Sequence, residues 1–131
     1  MSKTSENNSA FLMHLSSFSG YFFPFGAIIV PLIFWESKKK ESELLNRVGK
    51  EVINFNLSYL LYFIGIIVVM VPLGLTIALK EVQHFNLFLL ISLGALLGVM
   101  SIIKFILIII AAIKGNQGEE YKYPLTINFI K

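Results

Sequence analysis

The chain has 131 residues, of which 56 % are hydrophobic and 15 % charged, with a mean hydropathy of +0.75 and a formal net charge of +3. Globular domains carry roughly a quarter charged residues, and a short chain buries only part of its apolar surface, so a water-soluble monomer is excluded and the bilayer is the expected solvent. There is no cysteine, which excludes disulfides, thiolate metal centres, cysteine nucleophiles and acylated-cysteine anchors.

Residues 1–9 are polar and without periodicity and read as a short solvated tail. From Phe11 to Trp35 no residue is charged at neutral pH. At 1.5 Å per residue this stretch reaches about 37 Å, enough for one crossing of a roughly 30 Å hydrocarbon core and too short for two. Gly20, Pro24, Gly26 and Pro31 interrupt it, so the span is expected to be kinked or broken at Pro24, where proline removes a donor and clashes with the preceding turn. A cleaved signal peptide does not fit, because Lys38, Lys39 and Lys40 follow the apolar stretch instead of preceding it, and no small-x-small site ends it. Trp35 stands where an aromatic ring favours the interface.

In the loop 36–51, Leu44, Leu45, Val48 and Val52 recur at helical spacing among charges, which predicts a short cytoplasmic interfacial helix. Two further spans follow at about 52–79 and 85–113, and residues 114–131 form a tail. The expectation is therefore an all-α integral membrane protein with three transmembrane helices in a single domain, 10–113. In that arrangement Lys38, Lys39, Lys40, Arg47, Lys50, Lys114, Lys122 and Lys131 share one side, against Lys3 and Lys80 on the other. The positive-inside rule then puts the N-terminus outside and the C-terminus in the cytoplasm of a bacterial inner membrane. The basic residues flank spans, so they report topology and not a nucleic-acid partner.

The second span carries a polar and small stripe, Glu51, Asn54, Phe55, Ser58, Tyr62, Gly65, Val69, Pro72 and Thr76, expected to face protein because polar groups are costly against lipid. The third has Gly94, Gly98, Ser101, Phe105, Ile108, Ala112 and Gly115 at the same spacing. Gly94 and Gly98 form a GxxxG pair, so Gly65, Gly94, Gly98 and Ser101 are the candidate helix-packing residues, in a seam between the two spans or between copies. Lys104 lies ten residues before Lys114, about 15 Å into the span. With Ser58, Tyr62, Asn54 and Glu51 it makes a candidate intramembrane polar site, the alternative being an ammonium that snorkels to the surface.

No catalytic constellation is legible. Ser17-Phe18-Ser19-Gly20 lacks the first glycine of the intramembrane serine-protease motif, and its only nearby histidine, His14, shares the segment. Glu81 and His84 are two ligands and make no metal site. The chain reads as non-enzymatic and without cofactor.

The tail, from Ala111 through Gly115, Gly118, Tyr121, Lys122, Tyr123, Pro124 and Leu125 to Ile127, joins with His14-Leu15-Ser16, with Gly20-Tyr21-Phe22-Phe23-Pro24-Phe25-Gly26 and with Gly49-Lys50-Glu51-Val52-Ile53-Asn54-Phe55. Together these resemble a family of small bacterial membrane proteins with an uncharacterised domain, distantly similar to the twenty-kilodalton Tic component of chloroplast inner-envelope import. The resemblance covers nearly the whole chain from Phe11 onward. It implies an all-helical membrane protein with three or four hydrophobic helices and no enzymatic activity, and for the plastid relative a place in a preprotein-translocating assembly. Leu125, Ile127 and Phe129 alternate with Thr126 and Asn128, a strand-like pattern expected to dock on the protein's own cytoplasmic mouth or on a partner. The functional expectation is an accessory subunit of a larger membrane assembly, with translocation implied by the resemblance. The alternative is a small transporter or channel built by oligomerisation.

Overall fold

The computed structural model describes residues 2–23, 25–79 and 83–131. The expected kink at Pro24, together with Lys80 and Glu81, lies outside the described residues. Four α-helices and one 3-10 helix follow in order: α1 Lys3–Leu15, the 3-10 helix Ser16–Tyr21, α2 Gly26–Lys38, α3 Glu43–Ala78 and α4 His84–Asn116. Backbone contacts divide the chain into two compact units. One takes in the chain up to Tyr59 together with Phe105–Lys131; the other is Leu60–Lys104.

α1 starts where the Ser2 hydroxyl accepts the Ser5 amide at 3.1 Å, with Glu6 in the first turn to favour the positive end of the helix dipole. Residues 3–9 are thus helical, and the expected solvated tail is not formed. The helix tightens where hydroxyls compete for its carbonyls: Ser16 Oγ donates to Met13 O at 2.6 Å and Ser19 Oγ to Ser16 O at 2.6 Å. Phe25, in the left-handed region at φ 61°, turns the chain back, and Ser19 Oγ also donates to Gly26 O at 2.7 Å across the turn. Gly20 lies against Ala27 and Gly26 against the Ser19 carbonyl, so closely that a methyl on either would overlap its neighbour.

The single broken crossing expected over 11–35 is therefore replaced by a helical hairpin. α2 has 13 residues, about 20 Å of helix, short of a roughly 30 Å core. The N-terminal helix also lies beside the tail: the Ser42 hydroxyl bonds the Glu6 carboxylate, Ala10 touches Gly115, and Asn7 lies under Gly118. The N-terminal helix and the tail thus lie side by side within the first unit, a contact that the expected placing of the two chain ends does not foresee. α3 runs unbroken from Glu43 to Ala78, so the separate interfacial helix is absorbed into it, with Leu45, Val48 and Val52 in the core.

That core is made by Ala10 and Met13 of α1, Leu45, Val48, Val52, Ile53 and Phe55 of α3, Ile108, Ala111 and Ala112 of α4, and Tyr123. Among the described residues every buried hydrophobic side chain belongs to this first unit. The second unit holds its apolar side chains outward, Val68, Leu75, Phe88, Ile91 and Ile102 among them. Among the described residues α3 and α4 are the helices long and apolar enough to cross a membrane, and a third of that length is not among them.

Gly49 ties α2 to α3. A Cβ at this position would overlap the Trp35 ring, whose indole N–H donates to Asn46 Oδ1 at 3.1 Å. Overpacking of this kind costs about 1–3 kcal/mol. Gly49→Ala is expected to lower the thermal midpoint in detergent and to shift the emission of Trp35, the one tryptophan of the chain. Gly65→Ala, with nothing described within 4 Å of its Cβ position, is expected to change neither.

Candidate functional site

Glu51, Asn54 and Ser58 fall three and four residues apart on α3, and this spacing puts them on one face. The structure lays the C-terminal tail along that face. Glu51 Oε1 accepts the Tyr123 amide at 2.8 Å. Asn54 brackets Ile130, its Oδ1 accepting the amide at 2.8 Å and its Nδ2 donating to the carbonyl at 2.9 Å. Ser58 Oγ accepts the Ile127 amide at 2.8 Å while donating to Asn54 O at 2.8 Å. The tail forms no strand among the described residues; side chains of α3 take the place of a sheet partner for its amides. Lys50 Nζ donates to the Lys131 carbonyl at 3.3 Å and Arg47 pairs with Glu120 at 3.0 Å, so charged residues hold the rim.

Tyr123 is the pin of this closure. Its ring stacks on Phe55 at 3.8 Å between centroids and 11° between planes, and meets Tyr121 edge-on at 5.2 Å. Its hydroxyl lies 2.8 Å from Nδ1 of the fully buried His14. Burial first, then the nearby Tyr121 and Glu51, pushes the Tyr123 phenol well above its ordinary value. The phenol therefore stays protonated, and the His14 tautomer sets which way its bond to Nδ1 runs; the other ring nitrogen of His14 is Nε2. That nitrogen has no hydrogen-bond partner among the described residues. A second buried polar contact joins Asn56 Nδ2 to Ser17 Oγ at 2.8 Å and to Val52 O at 2.9 Å.

Gly118, at φ 78°, lets the chain leave α4 over Asn7, and Leu125 takes φ 56° just after Pro124. The motif residues Gly20, Gly26, Gly49, Lys50, Glu51, Asn54, Gly118, Tyr123, Pro124 and Leu125 all belong to the first unit. Of the expected intramembrane polar site, Glu51, Asn54 and Ser58 meet the tail, whereas Tyr62 and Lys104 belong to the other unit. Gly65 and Gly98 have nothing described within 4 Å of their Cβ positions, and Gly94 meets only Met70 Cε at 4.0 Å, so these glycines do not mark a close helix approach within the chain. Ser101 lies in the same unit.

The pairing of His14 with Tyr123, across 109 positions, and that of Ser17 with Asn56 escape sequence reading, since each residue alone reads as an ordinary polar interruption. Among the described residues no group of three His, Asp or Glu is placed to hold a metal ion. What the arrangement does chemically is satisfy the backbone of an irregular segment and fix both chain ends to α3.

Compared with known proteins, residues 5–130 match the model of a family described as magnetosome magnetite crystal formation proteins. No curated protein and no solved structure matches, so the resemblance to the Tic component has no match behind it.

Asn54→Ala would remove both bonds to the part-buried Ile130 amide and carbonyl, at about 0.5–1.5 kcal/mol for each hydrogen bond lost. It is expected to lower the thermal midpoint in detergent and to speed trypsin cleavage after Lys122. Tyr123→Phe, which keeps the ring stack and loses only the hydroxyl, is expected to cost less in both assays.

Proposed function

Because the chain belongs to the magnetosome magnetite crystal formation protein family, we propose that it is a non-enzymatic membrane accessory protein of magnetite formation, embedded in a bacterial membrane through α3 and α4. The observation that carries this reading is the match over residues 5–130, which takes in the hairpin, both long helices and the tail. The folded end and the two apolar helices support it, since they suit a protein that works by holding a place in a membrane assembly. Mineral formation thus replaces translocation as the process served.

The basic residues orient the chain. Lys38, Lys39, Lys40, Arg47, Lys50, Lys114 and Lys122 cluster around the ends of α2, α3 and α4 and the tail, which favours the cytoplasmic side for the first unit. Because the N-terminal helix touches the tail, it shares that side. A small oligomeric transporter is the second reading, favoured by the open helix faces at Gly65 and Gly98. Flux of solute through liposomes containing a homo-oligomer would establish it.

The test is complementation. In a magnetite-forming bacterium lacking its own family member, expression of this chain is expected to restore crystal number and size in electron micrographs, and the protein is expected to fractionate with the mineral-bearing membranes. Crystals unchanged from the deletion strain, with the chain present in the membrane, would overturn the proposal.

A further inference from the structure

The hairpin of α1, the 3-10 helix and α2 contains much of the apolar sequence that reads as a span, yet it turns back. We infer that it enters the bilayer from the side of the first unit and ends inside it, with Tyr21, Phe22, Phe23 and Phe25 seated among the acyl chains of that one leaflet. The inference rests on the reading that α3 and α4 cross the membrane.

Depth is set by contacts along α4. Ala10, near the open end of the hairpin, packs on Gly115, whereas Phe18 meets Phe105 at 5.1 Å between ring centroids and Tyr21 meets it at 6.5 Å. Gly115 and Phe105 are ten residues apart on one helix, about 15 Å by helix rise, half of a roughly 30 Å hydrocarbon core. α3 gives a concordant value: Trp35 packs on Gly49 and Ser17 bonds Asn56, seven residues and about 10 Å further on.

The surface at that depth is apolar and uncovered. Phe22 is 84 % exposed, Phe25 60 % and Phe23 47 %, and the exposed Phe105 of α4 lies beside the same tip. A soluble domain would hide such a tip. Five backbone donors about the turn are bonded internally, as lipid favours: Phe22 and Phe23 donate to Ser19 O, Gly26 to Phe23 O, and Ile28 and Ile29 to Phe25 O.

Both open ends are built for an interface. α1 begins with Lys3, Glu6, Asn7 and Asn8, and α2 ends with Trp35 and Lys38. Lys39 Nζ lies 4.7 Å over the Trp35 ring, an aromatic and ammonium pair of the kind that anchors chains at headgroup level. With the hairpin returning to its own side, every Lys and Arg of the chain except Lys80 and Lys104 falls at one end of the two crossings, a sharper bias than three crossings give. That charge complements anionic headgroups, and the occupant of the aromatic tip is the acyl chains beneath them.

The chain has no cysteine, so single cysteines report depth directly. The full chain carrying F22C, F25C, I64C or K40C is reconstituted in phosphatidylcholine and phosphatidylglycerol vesicles and labelled with a nitroxide, and collision with oxygen is compared with collision with a water-soluble nickel chelate. Each variant is first checked for unchanged Trp35 emission. Labels at Phe22 and Phe25 are expected to match Ile64, with an oxygen-to-nickel ratio several-fold above that at Lys40. A nickel-accessible tip beside a protected Ile64 would overturn the inference alone, while nickel access at Ile64 would overturn the crossing reading. Labelling of F22C by an impermeant thiol reagent only from the side opposite Lys40 would show a true crossing and overturn the inference. Disulfide cross-linking between Phe22 positions of two copies would put a second chain on the tip and overturn it too.

Discussion

Backbone polar groups outside a helix or sheet ladder need other partners, and in this protein the tail and the start of the hairpin find several of them in side chains. The tail from Tyr123 to Ile130 has no ladder to join, and Glu51, Asn54 and Ser58 supply the missing partners from one face of α3. The hairpin obeys the same constraint, with Ser16 and Ser19 closing carbonyls where the α-helix gives way to the tighter turn. The polar residues in these apolar stretches therefore serve irregular backbone. Remove Asn54, and the end of the tail keeps only the Lys50 ammonium among its α3 partners at Ile130 and Lys131.

Glycine usage divides the two units in the same way. Gly20, Gly26 and Gly49 stand where a methyl would overlap a neighbour, and Gly115 is nearly as tight against His14 and Ala10. In the second unit Gly65, Gly74 and Gly98 face open space. The first unit is a close-packed body whose contacts fix its conformation. The second leaves its small residues for whatever lipid or protein lies beside them, and close backbone approach in membranes depends on such positions.

The apolar runs of α3 and α4 were legible in the sequence because length alone decides whether a helix reaches across a bilayer. The same arithmetic failed over Phe11–Trp35: a stretch long enough for one crossing is also long enough for two half-length helices, and the choice lies in Gly20 meeting Ala27 and Ser19 meeting Gly26. The polar stripe of α3 was readable from spacing, and its occupant, the tail, was one of the expected docking modes. His14 and Tyr123 both stood in recognised motifs, but no periodicity links positions 109 apart; only the fold brings them to 2.8 Å.

The charge pattern bears on how such a protein serves mineral formation. Five carboxylates among the described residues are engaged in ion pairs: Glu36 with Lys39, Glu41 with Lys38, Glu43 and Glu120 with Arg47, and Glu119 with Lys114. Each exposed pair contributes at most about 1 kcal/mol to stability, but together they leave a surface whose formal balance is +3. A net positive field repels iron cations and attracts anionic lipid. Direct capture of iron from solution would call for the opposite balance, so the electrostatics favour action through the membrane and its other proteins. The close-packing of the first unit and the exposed apolar faces of the second are in keeping with that role.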